Sequence, residues 1–443
     1  MCLARLILWL VVLGCGLSSM AVAQTQMPLR FFELPTSLPN PVGAGARAAG
    51  LGFAFIGVAD DATAASYNPG GLVQLVQPEI SATGAYFLRV EDPENASAIE
   101  EQKLDTLSLN FFSVVFPEFF IKKRKVVTSL QIQRSFELKD HLDFFDASSN
   151  LAFRFRRDGR LFNISPAIAM GVTRNFSIGV SLNIWPDVFS NGWETETTFF
   201  QGADRQISSK SEFDFEGFNV TAGFLWRISE LPKLTLGGVV RTPFEATVTH
   251  RNTISRPNME DVSFTETLDM KMPLSYGLGF SALLTDRFTV SLDVSWVEWS
   301  DFRLETPASS FFFSIPTDVG SLDIVGLPDF REASRSDTTS VRLGVEYVVL
   351  LPNFLQWLRR DDLLIPLRAG LFYDPEASFE GADDFWGFSL GSGIVIWEFL
   401  FDIAYTFRTG RRTKLVMRTR DDVEEKRATV YEHNFLVSMI FRF

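Results

Sequence analysis

The feature that most limits what this chain can fold into is a two-residue alternation of apolar and polar side chains. It begins near Glu79 and continues to Phe443. Successive side chains of a β-strand point to opposite faces, so a period of two indicates strands. Around Phe176 the apolar face carries Phe176, Ile178, Val180, Leu182 and Ile184, and the polar face carries Asn175, Ser177, Gly179, Ser181 and Asn183. Repeated over most of the chain, this pattern predicts an all-β protein.

The composition of the two faces indicates what lies on each side of the sheet. The apolar face is rich in aromatic side chains, and the 443-residue chain contains 44 phenylalanines and 9 tryptophans. The polar face is rich in glycine, serine, threonine and charge. A soluble β-sandwich also alternates, but it turns its apolar face inward. An aromatic exterior around a polar interior is typical of a transmembrane β-barrel.

The alternating segments number about fourteen, an even number as bacterial outer-membrane barrels have. Connections after odd-numbered segments are long and polar, whereas most connections after even-numbered segments are tight. This arrangement is typical of barrels with loops outside the cell and turns in the periplasm. The predicted segments are 79–90, 105–116, 125–137, 159–172, 174–186, 212–228, 233–247, 271–284, 286–299, 339–349, 364–373, 385–396, 398–408 and 430–443.

The N-terminus has the form of an export signal. Arg5 precedes a short apolar run, and residues 21–23 form a small-x-small cleavage site. We expect residues 1–23 to be a signal peptide cleaved after Ala23, with lipid attachment at Cys15 as the alternative. Cys2 and Cys15 both lie in this signal, so a mature chain would have no disulfide, reactive thiolate or cysteine metal site.

Between the signal and the first strand lies a segment with neither strand nor helix periodicity. Residues 45–72 are small, apolar and glycine-rich. They contain an acidic pair, Asp60 and Asp61, and a turn sequence made by Asn68, Pro69 and Gly70. We interpret residues 24–77 as a plug, or hatch, inside a barrel built by residues 78–443. The acidic pair can be a catalytic or metal dyad, but we favour one member capping a short helix over residues 62–65.

Three stretches resemble the FadL/OMPP1 family of outer-membrane transporters, which includes TodX-like proteins. The run Ala59-Asp60-Asp61-Ala62 followed by Asn68-Pro69-Gly70 is similar to the family's hatch, with Gly70 in place of the usual alanine. The run 273–279, followed by Asp293 and residues 296–302, resembles its double strand. Stretches 341–347 and 366–370 resemble later strands.

This resemblance implies a fourteen-stranded outer-membrane barrel with an N-terminal hatch in its lumen. It also implies passive transport of hydrophobic compounds, either long-chain fatty acids or aromatic hydrocarbons. The compound would be captured by apolar outer loops, pass to a pocket above the hatch and leave sideways through the wall. No cofactor is implied. Strand 125–137 contains neither glycine nor proline to mark a kink, so the sequence does not locate a wall opening.

Candidate ligand-binding residues lie in the outer loops and on the polar strand faces. Aromatic side chains in loops 187–211 and 300–338 are candidates for capture; the alternative is that these loops fold down and form their own core. The capture candidates are Trp193, Phe199, Phe200, Phe311, Phe312 and Phe313. A carboxylate headgroup would need a lumenal cation, for which Arg342, Arg368 and Arg408 are candidates. The alternative is that these arginines pair with acidic neighbours such as Glu346 or Asp402.

Other function classes are disfavoured. His141, His250 and His433 show no metal-ligand spacing, and no nucleophile or phosphate-binding motif occurs, so we predict no enzyme activity. The net charge of −13 argues against nucleic acid as a partner. Glycine runs near Gly50 and Gly391 are interpreted as packing signals.

The partners expected instead are a hydrophobic small molecule and outer-membrane lipid or lipopolysaccharide. The barrel-assembly machinery is a third expected partner, because the last strand ends on Phe443, which resembles the signal for barrel assembly. Two alternatives to a transporter remain open. One is a FadL-like barrel that serves as a secretion or assembly partner. The other is an open porin, which the plug argues against.

Overall fold

The structure, a computed structural model, forms a closed barrel of fourteen antiparallel strands. It describes residues 31–33, 40–41, 43–94, 101–121, 123–146, 151–187, 191–201, 205–230, 233–305, 312–317, 320–325, 335–352, 362–378, 381–418 and 423–443. The predicted fold class is confirmed. The barrel strands are β1 (Glu79–Pro93), β2 (Gln102–Ile121), β3 (Arg124–Glu137), β4 (Leu151–Gly171), β5 (Phe176–Trp185), β6 (Arg205–Glu230), β7 (Lys233–Arg241), β8 (Ser275–Thr285), β9 (Phe288–Val297), β10 (Thr338–Pro352), β11 (Asp362–Tyr373), β12 (Phe385–Ile396), β13 (Phe399–Arg418) and β14 (Val423–Arg442).

The last strand closes the barrel against the first. β14 pairs antiparallel with β1 from Arg442 opposite Glu79 to Ala428 opposite Pro93. Closure pairs the first barrel strand with the last, which a strand-built membrane span requires because lipid cannot hydrogen-bond to exposed backbone.

The alternation read from the sequence divides outside from inside. Leu107 is 80% exposed and Phe218 is 67% exposed on the outer surface, whereas Ser113 and Ser181 on the inner surface are fully buried. Exposed apolar side chains on strands all around the barrel give it the lipid-facing surface of a membrane protein. Among the described residues, no helix has both the length and the apolar character needed to cross a bilayer.

The long connections contain strands of their own, which the sequence analysis did not predict. Four of these strands extend the sheet beyond the outer end of the barrel: Asp140–Asp146, Gly192–Gln201, Phe244–Ser255 and Val262–Met272. The predicted segments 233–247 and 271–284 were therefore wrong at one end each. Each is broken at a proline, Pro243 or Pro273, which has no N–H for the ladder. Shorter strands are Phe31–Glu33, Asn40–Pro41, Arg303–Leu304, Phe312–Thr317, Gly320–Val325, Glu376–Ser378 and Gly381–Asp383.

Residues 43–77, here named the inner segment, lie inside the barrel. They contain two short helices, α1 (Ala46–Gly50) and α2 (Ala64–Tyr67), and the 3₁₀-helix Pro69–Gln74. Opposite parts of the wall hold the segment: the backbone nitrogen of Ala46 donates to Ser438 Oγ at 2.6 Å, and Ser177 Oγ donates to the Gly70 carbonyl at 2.7 Å. The boundaries 24–77 and the plugging role stay predictions, and residues 1–30 lie outside the described residues.

Glycines on the inner wall allow the inner segment to approach at backbone distance. Several of them are directly opposite one another on neighbouring strands, as Gly179 is to Gly223 and Gly344 is to Gly370. A Cβ atom on any of them would lie within 3 Å of the inner segment or of its side chains. The expectation that Gly50 and Gly391 are packing positions agrees with this wall, because their Cα regions lie against each other. The wall glycines are Gly179, Gly223, Gly237, Gly277, Gly279, Gly344, Gly370 and Gly391.

Candidate functional site

A cavity of about 360 Å³ lies between the inner segment and the outer end of the barrel. Its size is that of a small-molecule site. The inner segment contributes the floor, through Phe53, Ile56, Ser66 and Tyr67 among others. Tyr67 is held in place because its hydroxyl donates to the Ala44 carbonyl at 2.7 Å.

One wall of the cavity is an aromatic cluster. The Trp185 ring stacks with Phe136 at a centroid distance of 5.9 Å and with Phe244 at 6.1 Å. The indole N–H of Trp185 donates to Asn219 Oδ1 at 3.1 Å, so its one polar group is satisfied. Met272, Pro273, Trp296, Val297 and Trp299 extend this apolar surface.

The remaining lining is polar, and most of its charged side chains are paired. Arg342 Nη2 donates to Asp374 Oδ1 at 2.7 Å, and its Nη1 donates to Ser295 Oγ at 3.1 Å. Arg408 Nη1 donates to Glu376 at 2.8 Å and to Glu432 at 3.0 Å.

The ionised state of Glu376, which lies in the short strand after β11, is set by these partners. Burial acts to raise the pKa of Glu376. The guanidinium groups of Arg408, Arg412 and Arg89 outweigh burial and hold the pKa well below its ordinary value, so Glu376 is a carboxylate. The cavity therefore joins an apolar wall to a polar one.

The three arginines proposed as headgroup contacts occupy different places. Arg342 and Arg408 line the cavity, as expected from their strand faces. Arg368 is not among the lining residues: it is buried and donates to Glu346 at 2.6 Å and to Asp402 at 2.5 Å. This is the paired arrangement that the sequence analysis kept as its alternative. A headgroup role for the three stays a prediction.

The proposed capture aromatics do not form a free apolar loop. Trp193, Phe199 and Phe200 lie on the strand Gly192–Gln201, which pairs with β4 and β6. The Trp193 ring stacks on Phe213 with centroids 4.7 Å apart. This ring packing arises because the loop extends the sheet.

The remaining capture candidates lie in different places. Phe199 is buried against Phe153, and the Arg154 guanidinium lies over the Phe200 ring. Phe312 and Phe313 begin the strand Phe312–Thr317, and Phe311 lies outside the described residues. Capture by this group stays a prediction.

The acidic pair of the inner segment makes ion pairs and turn contacts. Asp60 accepts from Arg47 Nη1 at 2.5 Å. Asp61 accepts from both the backbone nitrogen of Thr63 at 2.8 Å and its hydroxyl at 2.6 Å, and so holds the turn that enters α2. The expectation that one of the pair caps a helix over residues 62–65 was wrong, because the helix is Ala64–Tyr67 and its cap residue is Thr63, which makes no side-chain cap bond. Within the described residues, no cluster of acidic, histidine or cysteine side chains is suited to a metal ion.

Asn68 joins the inner segment to the wall. Its Nδ2 donates to the Ile56 carbonyl at 2.9 Å and to the Phe224 carbonyl at 2.8 Å, and its Oδ1 accepts from the Gly70 nitrogen at 3.1 Å. Pro69 starts the following 3₁₀-helix, where its missing N–H costs nothing. The turn sequence therefore anchors the segment as well as reversing it.

Some residues of the site were not selected from the sequence. Asp293 on β9 accepts from the backbone nitrogens of Phe55 and Ile56 at 2.6 and 2.7 Å. Arg241, the last residue of β7, lines the cavity and donates to the Ser66 carbonyl at 2.8 Å. Strand alternation predicts that both face inward, but only the structure shows what they meet.

The pairing between the neighbouring wall strands β2 and β3 stops close to a β-bulge on each of them. The ladder between β2 and β3 ends with Phe111 opposite Gln133. Beyond that rung, the described part of β2 pairs only with β1, and β3 pairs with β4 and with Asn40–Pro41. The register shifts leave Asn110 on β2 and Ser135 on β3 as the unpaired residues. Gln133 and Ser135 also line the cavity, which therefore reaches this break.

No protein-family model and no curated protein sequence matches the chain. Solved structures do match it. A Pseudomonas aeruginosa FadL homologue aligns with a TM-score of 0.63 at 14% identity, over 92% of this chain and 100% of that one. The Pseudomonas putida toluene transporter TodX aligns with a TM-score of 0.58 at 13% identity, over 91% and 99%. This chain has the FadL/TodX barrel fold.

A third structure with the FadL/TodX fold, the Ralstonia pickettii toluene transporter TbuX, aligns with a TM-score of 0.54 at 14% identity, over 91% of this chain and 99% of that one. The resemblance noted in the sequence is thus confirmed in three dimensions. The alignments span nearly all of each relative, so this chain contains the whole FadL/TodX fold.

Proposed function

We propose that this protein is a passive transporter that carries hydrophobic compounds across the bacterial outer membrane, with long-chain fatty acids and aromatic hydrocarbons as the candidate compounds. The observation that carries the proposal is the amphipathic cavity that reaches the break between β2 and β3. The toluene transporters with the same fold support it. No chemical step is part of the proposal.

The first step is capture at the outer end of the barrel. The aromatic cluster around Trp185 offers an apolar surface beside the cavity. Burial of a hydrocarbon chain yields about 0.8 kcal/mol per CH₂ group, so a chain of moderate length supplies enough free energy for capture. The strand Gly192–Gln201, which carries Trp193 and Phe199 beyond the outer end of the barrel, would guide the compound to this surface.

The second step is exit through the wall. The outer surface beside the break is apolar, with Leu107 80% exposed and Leu109 60% exposed. A compound that leaves between Asn110 and Ser135 would pass from the cavity directly to lipid. It would avoid the free energy of re-entering water, which grows with each CH₂ group exposed.

The inner segment would act as the hatch that closes the axial route. Its contacts with Ser438, Ser177 and Asp293 hold it to several parts of the wall. We propose that substrate passage needs only local movement of this hatch, near α2, because Ser66 Oγ donates to Gln133 Oε1 at 2.6 Å beside the break. The hatch would stay in the lumen while the compound leaves sideways.

Crosslinking across the break tests the exit. The double variant Asn110→Cys/Ser135→Cys, bridged by a bismaleimide in whole cells, should take up labelled hydrophobic compounds more slowly than the same cells before bridging. The control is Ser281→Cys/Ser291→Cys, a directly opposed pair within the intact β8–β9 ladder. Equal uptake by both bridged variants would reject the lateral exit. Unchanged uptake of every hydrophobic compound after deletion of the gene would reject the transport function and leave the secretion-partner alternative.

A further inference from the structure

A strand that leaves the wall lies at the outer mouth of the barrel. Beyond the break, Asp140–Asp146, here named the mouth strand, pairs with β4 and with no described part of β2. Asp140 instead reaches the inward-facing Arg412 of β13, with Asp140 Oδ2 3.3 Å from Arg412 Nη2. Three strands, β14, β1 and β2, separate β13 from β3 along the wall, so this contact spans part of the lumen.

The two faces of the mouth strand differ in exposure. Leu142 is 2% exposed and Phe144 is 5% exposed, and both share a face with the buried Asp140. On the other face, Phe145 is 48% exposed and the Asp143 side chain is 37% exposed. The buried face therefore turns toward the lumen, because it carries the contact with β13.

The mouth strand lies on the outer side of the cavity. Leu138, just before the strand, belongs to the same apolar cluster as Trp185 of the cavity wall. On β13, Arg408 lines the cavity and Arg412 lies roughly 13 Å farther out at the rise of a strand. The contact between the mouth strand and β13 therefore lies between the cavity and the cell exterior.

Asp140 is shared by two arginines from different sides of the mouth. Its Oδ2 lies 3.7 Å from Arg157 Nη2 on β4 and 3.3 Å from Arg412 Nη2 on β13. All three side chains are more than nine-tenths buried. Since water screens buried charges poorly, loss of the carboxylate would leave two guanidinium groups that repel each other.

The β13 side of this contact has further ion pairs. Arg412 also lies 3.6 Å from Glu91 and 3.9 Å from Glu376. Next to it, Arg89 Nη2 lies 2.6 Å from Glu432 Oε1, which joins β1 to β14. These charges stay paired when the mouth strand moves away, so the network can separate at that strand.

We propose that Asp140, Arg157 and Arg412 form an ionic latch that holds the mouth strand across the outer entrance of the cavity. The structure is then the closed state, and a hydrophobic compound enters when the latch parts and the mouth strand moves outward. This inference deepens the proposed transport function, on which it rests, by naming what controls entry to its cavity. The latch can open because water hydrates the charges once they separate, which offsets part of the lost attraction.

Labelling of a cavity cysteine from outside the cell tests the latch. Cys2 and Cys15 lie in the predicted signal peptide, so Ser275→Cys on the cavity lining gives a single reporter. Whole cells that carry this reporter are treated with fluorescein maleimide, and the labelling rate is measured. Adding Asp140→Asn should speed labelling roughly 10- to 100-fold, the range expected for loss of a hydrogen bond between charged groups.

The control is Asp143→Asn, on the exposed face of the same strand, where Asp143 pairs with Arg154. It should label at the rate of the reporter alone. Arg412→Gln removes the same contact across the mouth and should also speed labelling, and it replaces Asp140→Asn if that variant fails to form the heat-modifiable barrel. The double variant should label no faster than Asp140→Asn, because both changes act on one interaction.

Three results would overturn the latch. They are equal labelling rates in Asp140→Asn and Asp143→Asn, additive effects of Asp140→Asn and Arg412→Gln, and a reporter that already labels as fast as the denatured chain. Labelling reports the entrance and not transport. Faster labelling of the latch variants, together with unchanged uptake after gene deletion, would therefore keep the latch and reject the transport function.

Discussion

Adding one methyl group to the inner wall should displace the inner segment. A Cβ on Gly370 would lie 2.3 Å from the backbone nitrogen of Gly52, and a Cβ on Gly179 would lie 2.4 Å from the carbonyl of Pro69. Both obstacles are backbone atoms, which cannot rotate away as a side chain can. Since ordinary contact begins at 3.4 Å, Gly370→Ala requires a retreat of about 1 Å by the segment.

The expected cost follows from that displacement. Overpacking in a tight interior costs about 1–3 kcal/mol per site. A shift near Gly52 would also strain the bond from Ser389 Oγ to the Gly50 carbonyl, now 3.0 Å long. We therefore expect Gly370→Ala to reduce the free energy that holds the inner segment in place by about 1–3 kcal/mol. Gly179→Ala should cause a similar loss.

Ion conductance in planar bilayers measures the result, because a loosened inner segment opens an aqueous route through the barrel. Both variants should conduct more than wild type and unfold at lower temperature. The control is Gly84→Ala on β1, where the nearest atom to the added Cβ is Ser108 O at 3.8 Å. If Gly370→Ala and Gly84→Ala had the same conductance and the same unfolding temperature, the reasoning about backbone packing would be refuted.

Three further results are expected. Asn68→Asp keeps the acceptor for the Gly70 nitrogen but loses both donated bonds, so hydrogen exchange around the turn should speed up by an amount equivalent to about 1–3 kcal/mol, and unchanged protection would contradict this. Arg368→Met leaves the buried Asp402 without its arginine and removes one of the two arginines paired with Glu346, so it should lower the free energy of unfolding by about 3–5 kcal/mol. Arg154→Met, at an exposed ion pair, should lower the free energy of unfolding by less than about 1 kcal/mol. Equal losses in Arg368→Met and Arg154→Met would argue against a buried network. Burial lowers the pKa of His250, which lies beyond the barrel strands, and the Glu266 carboxylate only partly opposes this. The unfolded chain then binds more protons just below the ordinary pKa of 6.5, so thermal stability should fall as pH decreases from 7.5 toward 5 in wild type but much less in His250→Phe.

The barrel could be predicted because its main signal is local. A period of two shows in any ten residues which side faces lipid, and alternating loop lengths give the orientation of the strands. The pairing of Arg368 with Glu346 and Asp402 was also foreseeable, since all three lie on polar strand faces. The predicted strand ends were wrong at Pro243 and Pro273. The chain continues there as a second strand with a different pairing, and the local alternation of side chains is the same as in one long strand.

The candidate site was harder to predict because it depends on register between distant segments. Nothing near Asn110 or Ser135 marks a bulge, and the break between β2 and β3 appears only when both registers are known. Arg241 is one of several inward arginines, and its bond to Ser66 depends on where the inner segment lies. The aromatic candidates Trp193 and Phe199 were selected as loop residues, but their rings pack on strands that the sequence analysis treated as loop.

The position of the inner segment in the chain has a consequence for biogenesis. Ala46 near the N-terminus bonds to Ser438 near the C-terminus, a separation of 392 residues. Contacts this distant form slowly, because much of the chain must be ordered before they stabilise anything. In a chain exported from its N-terminus, as the predicted signal peptide implies, this segment would emerge first, although its partner lies on the last strand, which seals the barrel seam. The segment would then have to stay near the growing sheet until the seam closes, and its early release would give a barrel with an empty lumen.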